Sequence, residues 1–104
     1  MQTYPVRPTH RSNLTVESLG ELARQNFGDA KADGPAVETS YGALVKLRAS
    51  ASGKELGVEV TMNPKVSDEL ARETIRRYNA FLEAVTGYSA KERAKRARKS
   101  SGHE

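Results

Sequence analysis

ALVKLRASASGKELGVEVTM, residues 43–62, is two runs of alternating apolar residues around a serine–glycine pair. Ala43, Val45, Leu47 and Ala49 alternate with Leu44, Lys46, Arg48 and Ser50. Leu56, Val58, Val60 and Met62 alternate with Glu55, Gly57, Glu59 and Thr61. A period of two belongs to strands with one buried face. Folding the chain at Ser52-Gly53 sets Val45 against Val60, Leu47 against Val58 and Ala49 against Leu56. On the other face Lys46 meets Glu59, an attractive cross-strand pair. A one-residue slip would turn the second strand's apolar set to water, so the pattern specifies the register. Ser-Gly is a weaker two-residue turn than Asn-Gly, which leaves room for a bulge.

Working outward, Gly42 marks a bulge or bend after Tyr41, linking this hairpin to a strand over 36–40. Gly34-Pro35 reads as a turn from a further strand over 29–33. At the start, 3–7 reads as a strand, and Pro5 confines it to an edge or an end because it has no N–H to donate. Residues 8–12 read as a loop. A helix is expected over 16–27: Thr15 caps it, Leu14 and Leu19 have hydrophobic-staple spacing, and Leu19, Leu22, Ala23 and Phe27 form its stripe. Gly28 stops it.

Asn63-Pro64 ends the sheet. Ser67 caps a long helix, and Asp68 and Glu69 complement the dipole in its first turn. Leu70, Ala71, Thr74, Ile75, Tyr78, Phe81, Leu82 and Val85 fall within an arc of about 140° on it. Gly87 terminates it, and Tyr88 is expected to pack over that turn. Ser89 and Glu92 have capping-box spacing, so a separate helix runs over 90–99 and 100–104 frays. The order is strand, helix, four strands, helix, helix. That predicts an α+β two-layer sandwich: one domain over 1–99, an antiparallel five-stranded sheet covered on one face by helices. The other face, with Lys46, Arg48, Glu59 and Thr61, would meet water or a ligand.

The net charge of +4 lies entirely in the last helix and tail. Acidic and basic residues balance up to Ala90; beyond it Lys91, Arg93, Lys95, Arg96, Arg98 and Lys99 outnumber Glu92 and Glu104. On a helical wheel Ala90, Ala94 and Ala97 form a narrow seam for docking, and the cations a broad opposite face. A neutral body with a cationic end points to a polyanion, and phosphates are the natural one. The alternatives are a solvated tail and a membrane surface, the latter disfavoured because the seam is alanine rather than Leu, Phe or Trp. Arg76 and Arg77 could extend the basic surface. Arg77 has Glu73 and Arg72 has Asp68 as partners four residues back, whereas Arg76 has none. Arg7, His10 and Arg11 make a smaller basic loop.

No P-loop, G-x-G-x-x-G, H-E-x-x-H or G-x-S-x-G is present, and a nucleophile–base pair has no evident members. The expected class is therefore non-enzymatic, with no small-molecule substrate and no cofactor. The absence of cysteine excludes disulfides and thiolate metal sites and fits a cytoplasmic protein. His10 and His103 are far apart, and no metal site is expected. No apolar run reaches the length of a membrane helix, and the N-terminus has no secretory pattern. Asn13-Leu14-Thr15 matches a glycosylation acceptor that such a protein would not use.

Tyr4-Pro5-Val6, Ser40-Tyr41-Gly42-Ala43, Thr74-Ile75-Arg76-Arg77-Tyr78-Asn79 and the run from Thr86 to Arg93 resemble a small uncharacterised archaeal protein family. That resemblance covers roughly residues 4–96. It implies a fold like the TATA-binding protein with an extra C-terminal helix. It also implies a positive surface, suggested to bind nucleic acid, to which Arg76, Arg77, Lys91 and Arg93 would belong. The TATA-binding protein kinks DNA with apolar wedges; here Phe27 and Phe81 sit on helix core stripes, so minor-groove recognition would not follow. The expectation is a DNA- or RNA-binding protein of low specificity, contacting phosphates through Lys91, Arg93, Lys95, Arg96, Arg98 and Lys99, with Arg76 and Arg77 assisting. The alternative is a protein–protein adaptor, whose last helix docks on an acidic partner or whose sheet edge forms a weak homodimer.

Overall fold

The computed structural model describes residues 2–101, with side chains through Lys95. β1 (Gln2–Pro5) leads through a 3-10 turn (Pro8–Asn13) into α1 (Val16–Phe27). β2 (Lys31–Asp33), β3 (Ala36–Tyr41), β4 (Leu44–Ser52) and β5 (Glu55–Met62) follow, then α2 (Asp68–Thr86) and α3 (Ala90–Ser101). The strands form one antiparallel sheet in the order β1-β5-β4-β3-β2, giving the expected α+β architecture. Pro5 is the last residue of an edge strand, where a missing N–H costs no ladder bond. Val6 then turns inward and is buried. Residues 8–12, expected as a loop, start a 3-10 turn at Pro8 that reaches Asn13.

The hairpin turn lies one residue further along than expected, which shifts the pairing by two residues. Leu47 pairs with Val60, Ala49 with Val58 and Ser52 with Glu55. The loop is therefore Gly53-Lys54 rather than Ser52-Gly53. A two-residue turn whose first position alone has positive φ requires glycine there, and Gly53 at +63° supplies it. A two-residue shift preserves every face, so the apolar pattern could not detect the change. The charge pairing does change: Arg48, not Lys46, lies opposite Glu59, and Lys46 lies opposite Thr61.

A bulge at Val45 is the second departure. Tyr41 pairs with Leu44 across a tight Gly42-Ala43 turn, while Thr39 pairs with Leu47, so β4 carries one residue too many. The extra residue turns Val45 out, 55% exposed, and carries Leu44 into the core. Gly42 is thus the first turn residue, and the bulge lies three positions on.

Both long helices start and stop where expected. Thr15 Oγ1 accepts from the Ser18 N–H at 3.1 Å, and Ser67 Oγ from that of Leu70 at 3.1 Å. Gly28 and Gly87 end them at φ of 91° and 79°. Leu19, Ala23 and Phe27 of α1 and Phe81, Leu82 and Val85 of α2 pack on Val37, Leu47, Ala49, Leu56 and Val58 of the sheet. The Phe27 and Phe81 rings meet at 5.5 Å, tilted by 51°, in a favourable aromatic geometry. Leu70 and Ile75, expected in the α2 stripe, are 37% and 49% exposed. They occupy its two margins, which the body covers only in part.

The uncovered face of the sheet is held by charge. Arg48 Nη1 lies 2.6 Å from Asp33 and 2.7 Å from Glu38, which also faces Lys46 at 3.6 Å. Arg48 holds the Asp33 carboxyl below its ordinary pKa, by hydrogen bond and then by charge. A depressed folded pKa contributes stability above the ordinary value of 3.8 that is lost as pH falls through the lower folded one. Unfolding curves of the wild type and Asp33→Asn should therefore differ at neutral pH and converge on acidification. A gap independent of pH would remove this pair from the stability of the sheet.

Candidate nucleic-acid interface

α3 begins with a reciprocal capping box. Ser89 N–H donates to Glu92 Oε1 at 3.0 Å, and Glu92 N–H donates to Ser89 Oγ at 3.2 Å. The other Glu92 oxygen accepts from Arg7 Nη2 at 3.2 Å. Arg7 Nε donates to the Gly87 carbonyl at 2.7 Å, and its guanidinium lies 4.5 Å from the centre of the Tyr88 ring. Arg7 therefore seals the end of α2 and ties the start of α3 to it.

Arg93, expected among the phosphate contacts, is buried at 4% exposure. Its Nη1 donates to the Tyr88 carbonyl at 2.6 Å and its Nη2 to Asn79 Oδ1 at 2.9 Å. The Tyr4 ring lies 5.9 Å away. Burial lowers its pKa, opposed by Tyr4, Glu83 and Tyr78. Arg93 still carries its charge at neutral pH, but that charge is spent inside the molecule and does not face solvent. Behind it, Tyr4 and Tyr78 join hydroxyls at 3.4 Å, and burial, then that bond, raises the Tyr78 pKa. The expected alanine seam is not what docks: Ala90 and Ala94 are exposed. Two alanines bury little area, whereas a guanidinium with two acceptors fixes both position and direction.

Lys91 and Lys95 are exposed, and neither makes an ion pair among the described residues. Arg96, Arg98 and Lys99 lie on the last turns of α3, and their side chains fall outside the described residues. The helix runs to Ser101, past the expected end, and 102–104 also lie outside.

On α2, Arg76 is not partnerless. Its Nη1 meets Glu73 at 3.1 Å, and the same carboxylate holds Arg77 Nε at 3.0 Å. One carboxylate against two guanidiniums leaves one positive charge uncompensated. Arg77 also donates to the Asn26 carbonyl at 3.2 Å and lies 5.1 Å from the Tyr41 ring centre, so it is fixed in place. Arg76 is 76% exposed and tethered only by a surface ion pair. Arg72 reaches the Asp68 carbonyl rather than its carboxylate. His10 sits beside Gly87, where its ring and Arg7 leave no room for a Cβ. No group of His, Asp and Glu among the described residues is placed to hold a metal ion. Nor is any described helix long and apolar enough to cross a membrane.

Sequence reading missed the role of Arg93 and the tie from Arg7 to Glu92. The available signal was angular: Arg93 lies about 160° from Lys91 and Lys95 on the wheel. Of the six cations only Arg96, about 60° away, lies near it, and the rest of that side is alanine and serine.

A search of curated proteins finds no match. Among solved structures, the chain is similar to a hypothetical protein from Thermoplasma acidophilum determined by NMR in solution. The two are 28% identical with a TM-score of 0.69 over 93% of this chain and 97% of that one. This archaeal likeness agrees with the resemblance carried by the helical strings, and a family model matches residues 1–99. The chain belongs to the family described as a domain of unknown function, DUF5611.

Proposed function

We propose that this protein is a non-enzymatic nucleic-acid binder that contacts phosphates through the outward side of α3, with low sequence specificity. The observation that carries this reading is the division of labour on that helix. Arg93 is consumed in anchoring it, while Lys91 and Lys95 stay exposed and unpaired among the described residues. By helical spacing Arg98 and Lys99 belong to the arc of Lys91 and Lys95, away from Arg93. A docked helix presents its cations without an ordering cost at binding. Arg76 can exchange Glu73 for a phosphate, because a surface ion pair holds it by at most about 1 kcal/mol. Arg77 adds field rather than contact.

Phosphate contacts position a protein but do not read sequence. No aromatic residue is interleaved among these cations, so stacking on bases is not expected. The finer fold relationship belongs to the same reading: a TATA-binding-protein-like core, used differently. The outer sheet face is filled by the Arg48–Asp33–Glu38–Lys46 network, and Phe27 and Phe81 are buried. Val45 is exposed there, but its short branched side chain is no equivalent of the Phe wedges that open a base step.

Binding to random-sequence duplex DNA, single strands and structured RNA should weaken steeply with salt. The slope should be about −4 in log affinity against log salt for four to five contacts on duplex. Lys91→Glu with Lys95→Glu should lower affinity at least about tenfold and flatten the slope by about 2 units. Both sites are exposed, so the variant should keep its melting temperature. An unchanged slope in a folded variant would refute the assignment.

A further inference from the structure

We infer that the outer edge of β5 over residues 60–62 is a self-association surface whose occupant is a second copy of this chain. Among the described residues β1 covers β5 from Glu55 to Val58. Beyond Val58 no described strand pairs with that edge, so its backbone N–H and C=O groups face outward. The side chains there are apolar and exposed: Val60 39% and Met62 40%. They share the helix side of the sheet, since Val60 pairs with Leu47 and Met62 with Leu44, and Ile75 of α2 is exposed as well. On the opposite, charged face a groove of about 610 Å³, lined among others by Gln2, Lys46, Arg48, Glu59, Val60 and Thr61, runs along the same edge.

The other free edges are protected. β2 is three residues long, fully exposed and carries Lys31 and Asp33; β1 ends in Pro5. Short length, charge and proline are the usual means of blunting an edge. Residues 60–62 are as short as β2 but carry neither charge nor proline.

A strand continuing the line of β1 must run antiparallel to β5 and bring apolar residues at i and i+2 to the helix side. The 60–62 stretch of a second copy meets both conditions. A two-fold axis normal to the sheet through Thr61 keeps the two helix sides together and sets Val60 against Met62 of the second copy, in both directions. Charge selects this register: sliding toward the N-terminus until Glu59 faces Glu59 would oppose two carboxylates, whereas here Glu59 stays outside the paired run. The contact is small, well under about 1,000 Å², so the dimer is weak and reversible. This inference stands on β5 and not on phosphate binding. If both hold, pairing brings two α3 helices to one polymer and raises avidity.

The absence of cysteine makes the test direct. Thr61→Cys places one thiol on the axis, where facing Cα atoms about 4.5–5.5 Å apart permit a disulfide. Under mild oxidation Thr61→Cys should form a covalent dimer about tenfold faster than Glu55→Cys, on the same strand but beneath β1. Adding Val60→Lys should return the rate to that of the control, and sedimentation of the unmodified chain should show mass rising with concentration. Equal rates for the two thiols, no effect of Val60→Lys, or a monomer throughout would each overturn the proposal, even if an unrelated extended peptide bound the edge.

Discussion

Arg93→Met is expected to release α3 from an otherwise folded body. The side chain makes two hydrogen bonds from a buried guanidinium, to Tyr88 and Asn79. Charge-assisted bonds contribute about 1.5–3 kcal/mol each, and their loss takes the guanidinium partner from the part-buried Asn79 amide oxygen. The local cost is about 3 kcal/mol. A free helix of 12 residues is marginal in water, so the segment should melt. Amide exchange reads this directly: protection should vanish at Ala94 and Lys95 while β4 and α1 keep theirs. Arg93→Lys should not rescue, because a compact ammonium cannot reproduce the guanidinium fork that reaches both acceptors. If Arg93 is an anchor and not a phosphate contact, the salt slope of binding should persist in Arg93→Met. Affinity should still fall, since ordering the helix then opposes binding. Full protection of α3 in the variant would show that something other than Arg93 holds it.

The largest stability loss is expected at Gly42. It has φ of +55°, and a Cβ built there would lie 2.6 Å from Thr74 Oγ1 and 3.0 Å from Leu70 Cδ1. Thr74 cannot yield. Its hydroxyl donates to the Leu70 carbonyl at 2.8 Å, accepts from the Ala43 N–H at 3.0 Å, and is fully buried. A left-handed alanine costs about 1–2 kcal/mol, and overpacking adds about 1–3. Gly42→Ala should thus lose about 3–4 kcal/mol, read as a lower denaturant midpoint with an unchanged m-value. Removing the opposing atom gives an internal check. Thr74→Ala alone should cost about 1–3 kcal/mol by orphaning the Ala43 N–H, and the double variant should lose less than the two single losses combined. Strict additivity would mean that the clash is relieved elsewhere.

These two sites mark where legibility ended. Thr15, Ser67 and Ser89 declare helix starts because each cap bonds an N–H three residues on. Gly28 and Gly87 declare ends for an equally local reason, the positive φ of the final turn. The alternation over 43–62 fixed which face of each strand is inside, and so the sheet, the layer order and the fold class. It could not fix the turn, since Gly53-Lys54 and Ser52-Gly53 give identical faces. Nor could it place the bulge at Val45, which follows from the Gly42-Ala43 turn meeting α2.

The candidate site divides in the same way. Composition alone placed the excess charge on the last helix. Its allocation depended on partners distant in the chain: Arg93 on Asn79 and Tyr4, Arg7 on Gly87 and Glu92, Arg76 and Arg77 on one shared Glu73. Hydrogen bonds that close within a turn, and periodicities that repeat along one element, are properties of the chain itself. Which cation is buried and which is left to solvent is settled only when β1, α2 and α3 meet, because desolvating a guanidinium is favourable only where its acceptors are already in place.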